Sequence, residues 1–225
     1  MKLLDFVDAI FYINLPARTD KAAAMVQHLD ALGLLSKTIR VPGRTPAELG
    51  FTPKDDGTYD HIAYSAGNAA AHLDAVQRAY DANMENILVL EDDGRIYAET
   101  GHPLWPVETA LDQLAQIPDW EILFLGATIG DERLQLVAPN LVKVDVTVCS
   151  HAFIMNRRIF APILGEKWDN SYDCCLSSSF RQKYVVYPLG AIQVFINSTD
   201  IGTGHTPDVS FWAAQLERPI DRLYE

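Results

Sequence analysis

The run Ile87-Leu88-Val89-Leu90 stops abruptly at Glu91-Asp92-Asp93-Gly94, and no other feature constrains the chain as tightly. Branched apolar residues without polar alternation fit a strand covered on both faces, as in a sheet flanked by helices. Adjacent acids repel one another, so this turn must be solvated or must hold a cation. In open α/β sheets, ligands bind beyond the carboxyl ends of the strands. A buried strand that ends in clustered carboxylates therefore predicts a layered α/β fold with a site at the strand's end.

The remaining signals alternate between short apolar runs and helical periodicity, which extends the same reading along the chain. Strands are predicted at 9–13, 35–41, 86–90 and 120–125, with one or two more over 141–156 and a last one over 184–195, which contains Pro188. A helix capped by Thr19 carries Ala22, Met25, Val26, Leu29 and Leu32 at helical spacing and stops at Gly33. Others are expected over 65–83, 107–117, 157–164 and 173–182. The first of these puts Ala66, Ala69, Leu73, Val76 and Tyr80 in one stripe with His72 beside it. Segment 42–60, rich in Pro, Gly and Asp, reads as a loop able to carry ligand contacts, and the tail from Asn197 as a wrapping loop. No repeat or domain boundary is apparent, so 1–225 is read as one domain.

Composition excludes several function classes. With 18 Lys+Arg against 30 Asp+Glu, the formal charge of −12 argues against a nucleic-acid partner, which needs clustered cations. A phosphate ligand would have to be held locally, by a few basic side chains, backbone N–H groups or a bridging metal. Cys149, Cys174 and Cys175 form no CxxC, and Asp5 and Asp8 interrupt any leader-like run, so a cytoplasmic, reducing setting is expected. No apolar stretch approaches the roughly 18 residues of a membrane span. GxSxG, HExxH, GxxxxGK[ST] and a strand-linked GxGxxG are all missing.

Several segments, in order, resemble glycosyltransferase family 25, which includes lipopolysaccharide and lipooligosaccharide glycosyltransferases and collagen galactosyltransferases. These are Ile13-Asn14-Leu15-Pro16 with Arg18 and Lys21, Gly67-Asn68-Ala69-Ala70-Ala71-His72, Leu90-Glu91-Asp92-Asp93 and Trp120-Glu121-Ile122-Leu123-Phe124-Leu125-Gly126. Ser150-His151-Ala152-Phe153, Tyr172-Asp173-Cys174-Cys175-Leu176 and Ser198-Thr199-Asp200-Ile201 continue the set. Asn68 and Ala71 stand where the family pattern has Cys and Ser, and Lys21 where it has Arg. The resemblance implies a GT-A-like nucleotide-diphospho-sugar transferase fold, with a donor-nucleotide part over about 1–130 and an acceptor-side part over about 131–225.

It further implies transfer of a hexose, galactose among the possibilities, from a UDP-sugar to a glycan acceptor, with Mn²⁺ or Mg²⁺ and inversion. A lipid-linked acceptor would bring the protein to the inner face of the membrane. Charge grows on the diphosphate as the glycosidic bond breaks, so a cation is needed there. Glu91 and Asp93, completed by His205, are the expected metal ligands. Asn14, Leu15, Arg18, His72 and Asp92 are the expected nucleotide contacts. Asp173 is the expected base for the acceptor hydroxyl, although an Asp at a helix start is also a natural cap. Two rivals use the same residues: a non-catalytic nucleotide-sugar-binding protein, and a phosphohydrolase or nucleotidyltransferase. A two-metal version of the latter would need a second acidic pair such as Asp55-Asp56.

Overall fold

The computed structural model describes residues 1–98, 100–129, 134–166 and 171–194. Its helices are α1 (Leu3–Phe6), α2 (Thr19–Ala31), α3 (His61–Asp81), α4 (Trp105–Leu114), α5 (Phe160–Gly165) and α6 (Tyr172–Ser179). The strands β1 (Ala9–Asn14), β2 (Thr38–Pro42), β3 (Asn86–Glu91), β4 (Gly94–Ile96), β5 (Ile122–Phe124) and β6 (Thr128–Ile129) come first. They are followed by β7 (Gln135–Ala138), β8 (Leu141–Lys143), β9 (Thr147–Val148), β10 (Ala152–Asn156), β11 (Lys183–Val186) and β12 (Ala191–Gln193).

One eight-stranded sheet, ordered β2-β1-β3-β10-β5-β11-β8-β7, forms the middle layer. β1, β2 and β3 are mutually parallel; β10 runs against both β3 and β5, and β11 runs with β5. Because β8 opposes β11 and β7 opposes β8, six of the eight strands point one way. This is the expected α/β architecture with a largely co-directional sheet. Strands from the C-terminal third sit in its centre, so segments before and after residue 130 share one sheet.

Side-chain alternation along the strands sorts the core into two layers. Ile10, Leu88, Leu123 and Ile154 pack with Leu3 of α1, Met25 and Leu29 of α2, and Val107 and Leu111 of α4. Phe11, Val89, Phe124 and Phe153 face the other way, onto Ala75 and Val76 of α3, Phe160 of α5 and Leu176 of α6. Each such large side chain stabilises the fold by roughly 1.5–3 kcal/mol on burial. A one-residue slip of β3 would exchange its two covered faces, so its apolar run tolerates both layers where an alternating strand would not.

Boundaries differ from the sequence reading at identifiable places. Thr19 is the first helical residue of α2, behind Arg18, and not its cap. The 35–41 run opens with a 3₁₀ turn, Leu35–Lys37, before β2 begins at Thr38. Helix α3 starts earlier than expected, at His61, and buries a face of small residues that includes Gly67, Ala71 and Ala79, while Tyr80 is 42% exposed. Small side chains let that helix lie close to the sheet, a placement governed by packing and not by the hydropathy stripe. The last expected strand is two strands, β11 and β12, parted at Tyr187-Pro188.

Candidate active site at the strand ends

The carboxyl ends of β1, β2 and β3 meet at one edge, where Asn14 is in register with Pro42 and Ile13 with Glu91. Gly43 N–H donates to the Asn14 carbonyl at 2.9 Å, turning the chain after β2 back across the strand ends. Helix α3 supplies the opposite wall. At Gly67 a Cβ would be driven into the Arg44 carbonyl, so glycine is what lets the 43–46 turn and the helix approach. Between them lies a cavity of about 330 Å³, large enough for a small-molecule ligand. Leu15, Lys21, Arg44, Asn68, Asp93 and Gln193 are among its lining residues.

The acids of the predicted cluster have three different environments. Glu91 is held from three sides: its Oε1 accepts from Ser150 Oγ at 2.7 Å and Asn68 Nδ2 at 3.0 Å, and contacts His72 Nε2 at 3.1 Å. Burial pushes its carboxyl up, but the hydrogen bonds from His72, Ser150 and Asn68 and the attraction of His72 hold it well below the usual carboxylate range. Asp92 is neutralised locally, with Lys21 Nζ at 3.2 Å from Oδ1 and Asn14 Nδ2 donating to Oδ2 at 2.7 Å. Arg95 Nη1 donates to the Asp92 carbonyl at 3.0 Å and braces the turn from below.

Asp93 is the unsatisfied member. Gln193 Nε2 donates to its Oδ2 at 3.1 Å, and its backbone carbonyl accepts Val194 N–H at 2.8 Å where β12 pairs with β4. Among the described residues its buried Oδ1 has no hydrogen-bond partner. Burial, reinforced by the charge on Glu91, pushes this carboxyl up to about 7. An orphaned carboxylate oxygen at a cavity is a cost that a bound cation or a donor would remove. Among the described residues no group of three His, Cys, Asp or Glu converges as a ready-made metal site. What the described residues offer Mg²⁺ or Mn²⁺ is the free Asp93 Oδ1, in a site of the kind completed by substrate phosphates and water.

The expected site residues divide accordingly. Asn14, Leu15, Glu91, Asp92 and Asp93 line the cavity together. Asn14, only 1% exposed, is consumed in architecture: its Nδ2 also donates to the Arg18 carbonyl at 3.0 Å, and its Oδ1 accepts from Arg40. Glu91 Oε1 is occupied by its three neighbours, so this oxygen is not available to a metal. His72 is fully buried and lies behind the cavity, stacked on Tyr172 at 4.3 Å between ring centroids and on Phe153 at 5.6 Å. Its place is the core, where it presents Nε2 to Glu91.

Arg18 forms a two-pronged pair with Asp20 at 3.0 and 2.9 Å and is not among the cavity-lining residues. Asp173 also stands apart from the cavity. Its Oδ2 accepts the Cys149 N–H at 2.9 Å and its Oδ1 the Cys174 N–H at 2.9 Å, so it ties the start of α6 to the strained Cys149, whose φ is 81°. His205, with the Ser198–Ile201 segment, lies outside the described residues.

Two basic residues of the cavity were not among the expected contacts. Lys21, with its side chain 4% exposed, follows Arg18 by one helical step, and that spacing in a strand–turn–helix was the available signal. Arg44 is exposed at the rim with no hydrogen bond from its guanidinium among the described residues, and nothing in a Pro- and Gly-rich loop singles it out. No helix among the described residues is long and apolar enough to cross a membrane.

No family model and no curated protein matches the chain. Solved structures similar in outline include a UDP-glucose pyrophosphorylase complexed with UDP-glucose, at 10% identity and TM-score 0.47, covering 96% of this chain and 99% of that one. A197 from STIV matches at 10% identity and TM-score 0.46, over 84% of this chain and 86% of the other. Mannose-1-phosphate geranyltransferase from Thermus thermophilus matches at 13% identity and TM-score 0.43, over 79% and 72%. At these values the likeness assigns no activity to this chain.

Proposed function

We propose that the chain is a glycosyltransferase that binds a nucleoside-diphosphate sugar, UDP-hexose in the first instance, across the ends of β1 and β3. The observation that carries this reading is the buried, unpartnered Asp93 Oδ1 in a cavity that also presents Lys21 and Arg44. A cation-seeking oxygen beside two basic groups suits a diphosphate bridged to the protein by Mg²⁺ or Mn²⁺. Asp93 would hold that ion, which when bound would offset charge on the departing diphosphate. Lys21 and Arg44 would face the same phosphates, and Asp92 would keep Lys21 in place. Leu15 and the 43–46 turn would border the nucleoside. Glu91, fixed by Asn68, His72 and Ser150, sets the position of the strand end from which Asp93 projects.

Asp173 is proposed as the acceptor-side base, reached from α6. A glycan is the proposed acceptor, lipid-linked or free, and the cytoplasm the proposed setting. Nucleotidyl transfer at a one-ion site is the second reading. Its two-metal form lacks support from Asp55-Asp56, since neither lines the cavity and Asp56 Oδ1 is bonded to Thr58.

Calorimetric titration with UDP, with and without Mn²⁺, tests the proposal against an Asp93→Asn variant. Mn²⁺-dependent binding that disappears in the variant is expected; no UDP binding under either condition overturns the reading. Turnover of UDP-hexose with a glycan, as opposed to pyrophosphate release from UTP and a sugar phosphate, separates the two reactions.

A further inference from the structure

We infer that Asn68 is a specificity-determining residue, whose Oδ1 accepts a hydrogen bond from a neutral hydroxyl of the bound ligand. Resting on the nucleotide-sugar reading above, the inference names which group the α3 wall selects.

The orientation of this amide is fixed by its neighbours. Glu91 Oε1 lies 3.0 Å from one end of the Asn68 amide, and an ionised carboxylate can only accept. That end is therefore the NH₂. Ser150 Oγ–H at 2.7 Å and His72 Nε2 at 3.1 Å converge on the same oxygen and keep it there. A flipped amide would set oxygen against oxygen. Oδ1 consequently points away from Glu91. No described residue donates to it, it is not among the buried orphan atoms, and Asn68 is half-buried on the cavity wall. A carbonyl oxygen locked in place and left accessible to a cavity is an acceptor waiting for a donor.

The neighbouring acceptor decides which donor. Glu91 Oε1, on which Ser150 Oγ and His72 Nε2 also converge, lies 3.0 Å from the same amide. A phosphate oxygen placed against Oδ1 would set acceptor against acceptor, whereas a hydroxyl supplies the missing proton. In a nucleoside-diphosphate sugar such hydroxyls occur on the ribose and on the hexose. Sites built to hydrogen-bond a hydroxyl discriminate strongly against analogues without it, because the polar group is otherwise left unpaired.

The test is calorimetric titration of the full chain with UDP, 2′-deoxy-UDP and UDP-hexose, and with Mn²⁺ alone, for wild type, Asn68→Ala and Ser150→Ala. Ser150→Ala weakens the hold on Glu91 but leaves Asn68 Oδ1 in place, so only the loss in Asn68→Ala beyond that in Ser150→Ala is credited to Oδ1. The expected excess is ~10-fold in Kd. Loss confined to UDP-hexose identifies a hexose hydroxyl. Loss with UDP that is absent with 2′-deoxy-UDP identifies the ribose. Equal Kd values for Asn68→Ala and Ser150→Ala with every ligand overturn the inference while the nucleotide reading stands, as does a matching loss of Mn²⁺ binding, which would make Asn68 a metal ligand. A wild-type chain that binds no nucleotide removes both.

Discussion

Glu91 and Asp93 stand two positions apart on one strand end, yet the protein treats them in opposite ways. Glu91 gathers donors from α3 and from the segment after β9, and is held as an anion. Among the described residues, Asp93 receives one side-chain donor, from Gln193, and keeps an unpartnered oxygen at the cavity. The first carboxylate joins three parts of the fold at a single oxygen. The second is left costly, and groups left costly in otherwise satisfied surroundings are where ligands are expected. The difference separates architecture from chemistry within a single acidic run.

Removing the satisfied acid should have the largest effect. Glu91→Ala strands Asn68, His72 and Ser150 without their shared acceptor, and we expect a loss of about 3–5 kcal/mol in urea unfolding. Glu91→Gln, which keeps an accepting oxygen, should cost less. A fully stable Glu91→Ala protein would break the contrast. Acid should act in the same direction: because the folded carboxyl sits below its ordinary value, its contribution is complete above about pH 4.5 and fades as pH falls below that.

Asp93 should behave in the reverse sense. Its folded value near 7 lies above the ordinary 3.8, so the native state holds the extra proton between those values. Stability from this group therefore declines as pH rises from about 4 to about 7 and stays low beyond. Asp93→Asn should abolish Mn²⁺-dependent UDP binding yet raise stability at pH 8 by about 2 kcal/mol, discounted because the side chain also faces the cavity. In the wild type, Mn²⁺-supported binding should strengthen between pH 6 and pH 8 as Asp93 ionises. A flat profile, or a variant less stable than wild type at pH 8, would contradict the assignment.

Much of this arrangement was legible in advance. Continuous apolar runs at Ile10-Phe11 and Leu88-Val89 announced strands covered on both sides, and the acids after Leu90 marked the strand end at which the cavity lies. What the residues alone could not disclose was how donors are shared among three adjacent carboxylates. That depends on α3 lying close to β3 and on Ser150 arriving from 59 positions downstream of Glu91, both products of tertiary packing. His72 illustrates the ambiguity: helical spacing placed it near the buried face, but only packing against Tyr172 and Phe153 shows it turned into the core. Arg44 carries no local signal, because its position at the cavity comes from the contact of its own carbonyl with Gly67.

That contact supplies a third and smaller test. Gly67→Ala pushes a methyl group into the Arg44 backbone, which must move the 43–46 turn off the helix. Overpacking of this kind costs about 1–2 kcal/mol, and UDP binding should weaken while the Glu91 hold, on the next residue, survives. Unchanged stability and unchanged UDP affinity would mean that this wall does not set the cavity's shape.

The smallest effect belongs to Asp173, which meets neither side of the contrast directly. Its carboxylate satisfies the backbone N–H groups of Cys149 and Cys174, the second of them in the first turn of α6. Loss of such hydrogen bonds costs about 1 kcal/mol, and an Asn side chain retains one accepting oxygen where the carboxylate has two. Asp173→Asn should therefore lower stability by no more than that and leave the Kd for UDP unchanged, since the residue does not line the cavity. Turnover of UDP-hexose with a glycan acceptor separates the two jobs open to this acid. A fall in kcat at constant UDP affinity is expected of a base acting on the acceptor hydroxyl, whereas an unchanged kcat with the same small stability loss would reduce Asp173 to a cap that fastens α6 to Cys149.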